Sequence, residues 1–586
     1  MKRSFSLLAL LFSFFLTNSQ EKKKDTLVKT EVVNVVTKYN PKITDVNKIK
    51  ENPTIQLLDN TKKKKLKYNI FSAPVASTFI PKTGVVKGIN LGVKERIYKN
   101  YIAAGFGNYI SPFADVFIYN NNRFNSEFGF SAKYNASLQN IENTLLNSTF
   151  TNLSVGAFYK KEARYFNWKV NADAVSSAYN WYGLPENNYT DLVLNSINEV
   201  QKYNLAKLST TFNFYDSYID YGKLNLSFFS DDFNSQEILA DFNTKLSFPL
   251  DFLGYNVNEI SVITSFEYLG GNFQKNYANT NKVNYTQLTA KINPTYQLDY
   301  TNLKLKVGFK TFYAIDSENN INNLLIFPDV LSKITIFKKY INAYAGVTGN
   351  LHSNTYQQFT EENPFVSPTL FITQTAETAN FFAGLKGNIT NYLSYHIKAA
   401  KITEEDKPLF LRNNSKSDGT TSIVNNKSLE GYEYGNSFGV FYDDVETTHF
   451  LTEIEYFFNK NLTLTAQVNY NNYNTTNALD SFNLPELEGA FLAKYKAKKW
   501  FANATIYYVD SRKDIVYNAT FPSSINSLNT LDAFVDVNLN GGYHFNDKFS
   551  AFLRLNNVLN NNYQRFTNFN VQGFQALGGF TYKFDF

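Results

Sequence analysis

Between about residue 99 and its end, this chain changes character every second residue. In 462–470, Leu462, Leu464, Ala466, Val468 and Tyr470 alternate with Thr463, Thr465, Gln467 and Asn469. In 303–313, Leu303, Leu305, Val307, Phe309 and Tyr313 oppose Lys304, Lys306, Gly308 and Lys310. The segments 166–174 and 533–545 do the same, with Phe166, Trp168 and Val170, and Val535, Val537 and Leu539, on the apolar side. A period of two is the side-chain period of a β-strand. No long stretch carries the 3.6-residue period of an amphipathic helix.

A soluble sandwich also alternates, one face inward and one wet. Three features favour a barrel that spans a membrane instead. The strands are long. Their apolar face ends repeatedly in Tyr or Phe, as an aromatic girdle at a lipid–water boundary requires. The connections also come in two kinds that take turns. Short turns fall at Asn546-Asp547, Asn459-Lys460, Tyr300-Thr301, Thr390-Asn391 and Lys498-Lys499. Long loops are expected near 137–149, 176–200, 271–284, 351–377, 402–445, 471–483, 510–530 and 557–575. Transmembrane barrels place short turns on the periplasmic side and long loops outside. Upward strands are predicted to start near 99, 125, 165, 221, 258, 302, 340, 391, 462, 500 and 549. Downward strands are predicted near 113, 150, 201, 236, 285, 326, 378, 446, 484, 531 and 576. The expected architecture is all-β, a transmembrane antiparallel barrel of about 22 strands with both termini periplasmic.

Composition agrees with a chain that spans as strands. Mean hydropathy is −0.33, yet Tyr and Phe number 41 and 54 against 3 Trp and 1 Met. Strands that show alternate residues to lipid and to a polar lumen keep the average low. The N-terminus reads as a secretory signal peptide: basic Lys2 and Arg3, an apolar run over 4–16, and small residues at Thr17-Asn18-Ser19. Cleavage is expected near Ser19/Gln20, and the apolar run is too short to span as a helix. The chain has no cysteine. That excludes a lipid anchor at a cleavage-site cysteine, disulfides, zinc–thiolate sites, iron–sulfur clusters and thiol catalysis. Without Lys2 and Arg3, 55 basic residues face 51 acidic ones, a net of +4, so nothing points to nucleic acid.

The last strand is the most specific segment. In 576–586 (ALGGFTYKFDF), Phe580, Tyr582, Phe584 and Phe586 share the lipid face. A closing strand with a terminal aromatic resembles the signal read by the outer-membrane barrel-assembly machinery. Upstream, Asn557, Val558, Leu559, Asn560 and Tyr563, then Gly573-Phe574, resemble the end of TonB-dependent receptors. That resemblance implies an outer-membrane uptake barrel of about 22 strands. The N-terminal part departs from the family. Residues 20–98 are too few for a full plug and linker, so the resemblance is to a plug-less or plug-reduced, Bacteroidetes-like member. Asp25, Thr26, Leu27 and Val28 resemble a TonB-contact box, and 31–40, with Val32 and Val33, the start of a plug. The run Lys62–Lys65 reads as a solvated charge cluster. The segment 68–79, with Pro74, suits an extended peptide in the lumen. The domain reading is signal peptide 1–19, a reduced plug-like segment 20–98, and barrel 99–586.

The four histidines, His352, His396, His449 and His544, lie far apart in sequence and read as lumen or loop residues. No phosphate-cradling glycine loop opens a helix. Acidic groups at Asp231-Asp232, Glu404 to Asp406 and Asp443-Asp444 offer oxygen ligands to a cation, but read as solvated loop charge. No enzyme, metal or cofactor is expected. Lys304, Lys306, Lys310, Lys398, Arg554 and Lys583 are predicted to face the lumen, either favouring anions or paired with carboxylates such as Asp536 and Asp585. The expected partners are outer-membrane lipid and lipopolysaccharide, the barrel-assembly machinery, and TonB or a surface lipoprotein. The leading functional expectation is uptake, with the 402–445 loop as the largest ligand surface. The alternative is an accessory barrel of a multi-protein export or assembly complex.

Overall fold

The computed structural model describes residues 96–122, 125–185, 189–249 and 258–586. The expected signal peptide, the TonB-contact candidates Asp25 to Val28, Val32 and Val33, and the lysine run lie outside the described residues.

A single antiparallel sheet of 22 strands closes on itself. Closure is made by the first strand, Asn100–Gly107, against the last, Gln575–Phe584, in register from Asn100↔Phe584 to Gly107↔Leu577. Closure matters because lipid offers an open sheet edge no hydrogen-bond partner. Gly105, Gly107 and Gly579 sit in this seam. A Cβ on Gly105 would stand 2.7 Å from the Gly578 carbonyl oxygen, so the closing strands approach where side chains are smallest.

Alternation sorts the wall as the sequence predicted. Val307, Phe309 and Tyr313 are exposed on one face of Leu303–Asp316, as are Val468 and Tyr470 on Leu462–Thr475. Dozens of large apolar side chains are exposed in this way, more than a water-facing surface sustains. The wall is therefore built to meet lipid. At the short-turn rim the apolar face becomes aromatic. Tyr543, Phe545, Phe549 and Phe580 contact one another in sequence, and Tyr582, Phe584 and Phe586 continue the series.

The two turns with matching sequences fold alike. Asn459 Oδ1 accepts from the backbone N–H groups of Asn461 (2.8 Å) and Leu462 (3.0 Å). Asn546 Oδ1 accepts from Lys548 (2.9 Å) and Phe549 (2.8 Å). Each asparagine satisfies two turn amides that no strand can pair.

Three expected strand starts move by more than three residues. Strands predicted at 326 and 378 begin at Ile321 and Gln374. The largest change is at the expected 402–445 loop. Strand Leu393–Arg412 pairs with Phe438–Phe457 through Arg412↔Phe438, so the loop contracts to 413–437. These strands reach about 65 Å at ~3.3 Å per residue, well beyond a bilayer. Above the lipid both faces can be polar, so alternation fades and 402–412 reads as loop. A register shift between Glu404 and Lys407, with Asp406 at φ 54°, carries the hairpin past this irregular stretch.

Candidate functional site at the long-loop mouth

The buried core of this protein lies at the long-loop end of the barrel. Loop 354–373 leaves the wall and crosses the mouth. Its helix Tyr356–Glu362 begins at Thr355, whose hydroxyl accepts from the Gln358 N–H at 3.0 Å. The wall residue Glu237 accepts from the N–H groups of Tyr356 (2.6 Å) and Gln357 (3.1 Å), and from the Tyr285 hydroxyl (2.8 Å). A carboxylate there satisfies helix-terminal donors and complements the positive end of the helix. The Tyr356 hydroxyl donates to Asp231 at 2.8 Å. Both carboxylates belong to the seventh and eighth strands of the barrel.

The same loop then reaches the far side. The Ser367 N–H donates to the Phe438 carbonyl at 2.8 Å, on the sixteenth strand. Trp181 Nε1 donates to the Phe365 carbonyl (3.1 Å) and the Tyr203 hydroxyl to the Pro364 carbonyl (2.9 Å). Phe365 stacks on Phe569 of loop 557–574 with ring centroids 3.7 Å apart. Segments distant around the ring thus meet in one apolar cluster, with Tyr203, Phe273, Tyr356, Phe359, Val366 and Phe438 all buried. Each such side chain contributes about 1.5–3 kcal/mol on burial. A second cluster joins Leu146, Leu184, Val193, Ile197 and Tyr434.

Polar links bind the remaining loops to this cap. Glu433 accepts from Lys416 (2.7 Å) and Lys275 (2.9 Å), tying loop 274–282 to loop 413–437. Burial pushes the Glu433 carboxyl up, but these lysines and the Glu430 N–H outweigh it and hold it below the ordinary glutamate value. Burial pushes Asp514 up, against hydrogen bonds from the Thr567 hydroxyl and the Ile515 N–H. Asn436 Nδ2 donates to the carbonyls of Trp181 (2.6 Å) and Gly431 (2.9 Å). Gly431 packs so closely that a Cβ would lie 1.7 Å from the Asn198 carbonyl oxygen.

Beside this cap lies a cavity of about 1430 Å³ between loops 413–437, 510–533 and 557–574. Asparagines, serines and threonines dominate its wall, among them Asn413, Asn529, Asn562, Ser417 and Thr530. Phe534 and Tyr563 lie parallel in that wall, with centroids 3.8 Å apart.

The expected lumen cations are placed as follows. Lys306 pairs with Asp329 at 2.7 Å, Lys304 with Asp299 at 2.9 Å, and Lys310 Nζ donates to the Gly349 carbonyl at 2.8 Å. The Arg554 guanidinium lies over Phe113 at 4.5 Å and over Phe552 at 5.1 Å. Lys398 lies over Phe382 at 5.3 Å. Lys583 sits opposite Tyr101 in the closing seam. The carboxylates that pair with Lys304 and Lys306 are not the expected Asp536 and Asp585. Asp536 accepts from the Tyr563 hydroxyl and Asp585 from Arg96 and the Lys99 N–H. Phe580 and Tyr582 on the last strand, and Phe586 just beyond it, are exposed.

The reading of the acidic groups as solvated loop charge is corrected at Asp231 and Asp443, whereas Asp232, Glu405, Asp406 and Asp444 are exposed. Asp231 and Asp443 are buried. Asp231 accepts from the N–H groups of Phe233 and Ser235, and Asp443 from those of Thr476, Asn477 and Ala478. They close loops by satisfying amides that strands leave unpaired. The histidines stay apart: His396 meets Tyr344 at 2.7 Å, His449 meets Asn471 at 2.8 Å, and His544 lies beside Phe501. No group of three or more acidic or histidine side chains suited to a metal occurs among the described residues.

Alternation was blind to the cap, because inward-folded loops have no period. A usable signal existed in aromatic density within loops. Trp181, Tyr182, Tyr356, Phe359, Phe365, Tyr432, Tyr434, Phe566 and Phe569 are too many large rings for segments left in water.

No protein-family model matches the chain, and no curated protein matches it. Solved structures do. The ferripyoverdine receptor of the outer membrane of Pseudomonas aeruginosa, bound to ferripyoverdine, is 14% identical, with a TM-score of 0.62 over 83% of this chain and 72% of that one. A mutant ferric enterobactin receptor (PfeA) from Pseudomonas aeruginosa is 11% identical, with a TM-score of 0.58 over 83% and 80%. A chain in the structure of the FpvAI–pyocin S2 complex is 13% identical, with a TM-score of 0.62 over 83% of this chain and 70% of that one. With its closed 22-strand sheet and lipid-facing belt, this chain has the barrel fold of the outer-membrane siderophore receptors.

Proposed function

We propose that this protein is an outer-membrane receptor barrel that captures a nutrient at its external loops and passes it inward. The observation that carries this reading is the long-loop mouth. Loops from around the ring converge on one buried core, beside a roomy polar cavity. A passive pore needs no such cap. The likeness to ferric-siderophore receptors supports a receptor of that architecture. In this reading residues 1–19 are removed near Ser19/Gln20, 20–98 form a reduced plug-like segment, and 99–586 form the barrel. Asp25 to Val28, with Val32 and Val33, contact TonB. Lipopolysaccharide surrounds the belt, the assembly machinery reads Phe580 to Phe586, and the loops present ligand alone or with a surface lipoprotein.

The test is growth and nutrient uptake in cells carrying either the intact chain or one lacking residues 25–36. Loss of uptake at unchanged barrel abundance supports energised transport. Unchanged uptake, together with a stable multi-protein complex on affinity purification, replaces this reading with an accessory barrel of an export or assembly complex.

A further inference from the structure

We propose that the cavity between loops 413–437, 510–533 and 557–574 binds a neutral, hydroxyl-rich ligand of oligosaccharide chemistry. The assignment rests on the uptake reading for its biological use; its binding step is separable from it.

The lining chemistry carries the argument. Among the described residues, Arg412, Asp418 and Asp532 are the only charged ones in a wall otherwise made of amides, hydroxyls and a few apolar groups. Primary amides and hydroxyls each donate and accept. A ligand covered in hydroxyls needs both roles at every position, whereas an anionic chelate needs concentrated positive charge. Two cations beside this wall are already committed. Lys416 is held by Glu433, and Arg512 donates to the carbonyls of Arg565 and Gln564. Leaving a charged ligand unpaired in such a wall costs more than its contacts return.

Size and aromatic surface agree. At about 1430 Å³ the cavity exceeds the ~300–1,000 Å³ typical of a drug-sized ligand. It therefore suits a chain of several sugar units. Tyr517 and Tyr563 add flat apolar area to the wall, which suits the C–H faces of sugar rings. The wall is also fixed in advance. The Tyr517 hydroxyl donates to the Arg412 carbonyl at 2.9 Å, and the Phe521 N–H to the Ser415 carbonyl at 2.7 Å. A preformed wall lowers the ordering cost of binding.

The experiment uses the detergent-purified full-length protein, labelled and applied to an array of neutral, sulfated and sialylated oligosaccharides. Two variants accompany it, Asn529→Ala and Asn562→Trp, at lining positions whose side chains the cap's own hydrogen bonds do not use. Protease resistance of the loops verifies that both fold. The expected result is binding confined to neutral oligomers, weakened about tenfold or more in Asn562→Trp, a loss of ~1.4 kcal/mol or more. No binding to any neutral oligomer, preference for acidic ones, or binding unchanged in both variants overturns the assignment. Binding without cellular uptake of the same oligosaccharide keeps the assignment and removes the uptake reading. Uptake of another nutrient without oligosaccharide binding does the reverse.

Discussion

The wall and the cap of this protein obey opposite rules. The wall puts its large apolar side chains outward, so Phe309, Phe266 and Leu553 are exposed. The cap hides its own, so Tyr356, Phe359 and Phe438 are buried. One chain satisfies both because its two regions meet different solvents. In lipid, cohesion comes from closed backbone hydrogen bonding, and outward apolar groups cost nothing. In water, the loops cohere by burying apolar area, as a soluble domain does. The cap is thus a small soluble-type core mounted on a membrane barrel.

Four variants can break or sharpen that contrast. The largest effect is expected from Tyr356→Ala, which empties the centre of the cap and costs about 3–5 kcal/mol. Hydrogen exchange should accelerate across 354–373 and 413–437 while wall amides keep their protection. If wall and cap loosen together, they form one cooperative unit and the contrast fails. Phe309→Arg attacks the other side. A cation on the lipid face costs about 2–4 kcal/mol near the bilayer midplane. Urea unfolding in lipid vesicles should show the wall destabilised, with protease resistance of the loops unchanged. Gly431→Ala forces loop 413–437 off Asn198 and should cost the cap about 1–3 kcal/mol, read as faster proteolysis at 181–199.

The smallest effect depends on pH. The folded Glu433 carboxyl sits below its ordinary value. Its contribution is therefore fully present above the ordinary glutamate value of ~4.3 and is lost as pH falls through the lower folded value. Proteolysis near 413–437 should rise on acidification in that window, and Glu433→Gln should flatten the dependence. Asp514, raised by burial, runs the other way, favouring the cap at low pH and losing that contribution as pH rises. An acid response that survives Glu433→Gln would place the switch elsewhere.

Much of the wall was legible in the residues. Strands expected at 150, 236, 258, 462, 500 and 549 begin at those positions. The period persists because each residue of a spanning strand must face either lipid or lumen. Legibility failed where that constraint lapsed. At 402–412 the strands stand above the bilayer, and Glu404 and Glu405 look like a loop although they pair across the sheet. Asp231 and Asp443 looked like solvated charge because nothing local shows which amides they serve. The candidate cavity was invisible for a related reason: Asn413, Asn529 and Asn562 lie in three separate loops and share no motif.

The sequence by itself determined the strand period, the number of strands, their alternating direction and the closing aromatic strand. Those properties follow from local rules, since side-chain direction in a strand depends only on position along it. Tertiary structure alone decided that loops from around the ring meet over one mouth, that Glu237 anchors the helix Tyr356–Glu362, and that a polar cavity remains beside them. Such contacts join residues more than a hundred positions apart, where no periodic signal reaches and only closure of the barrel sets the distance.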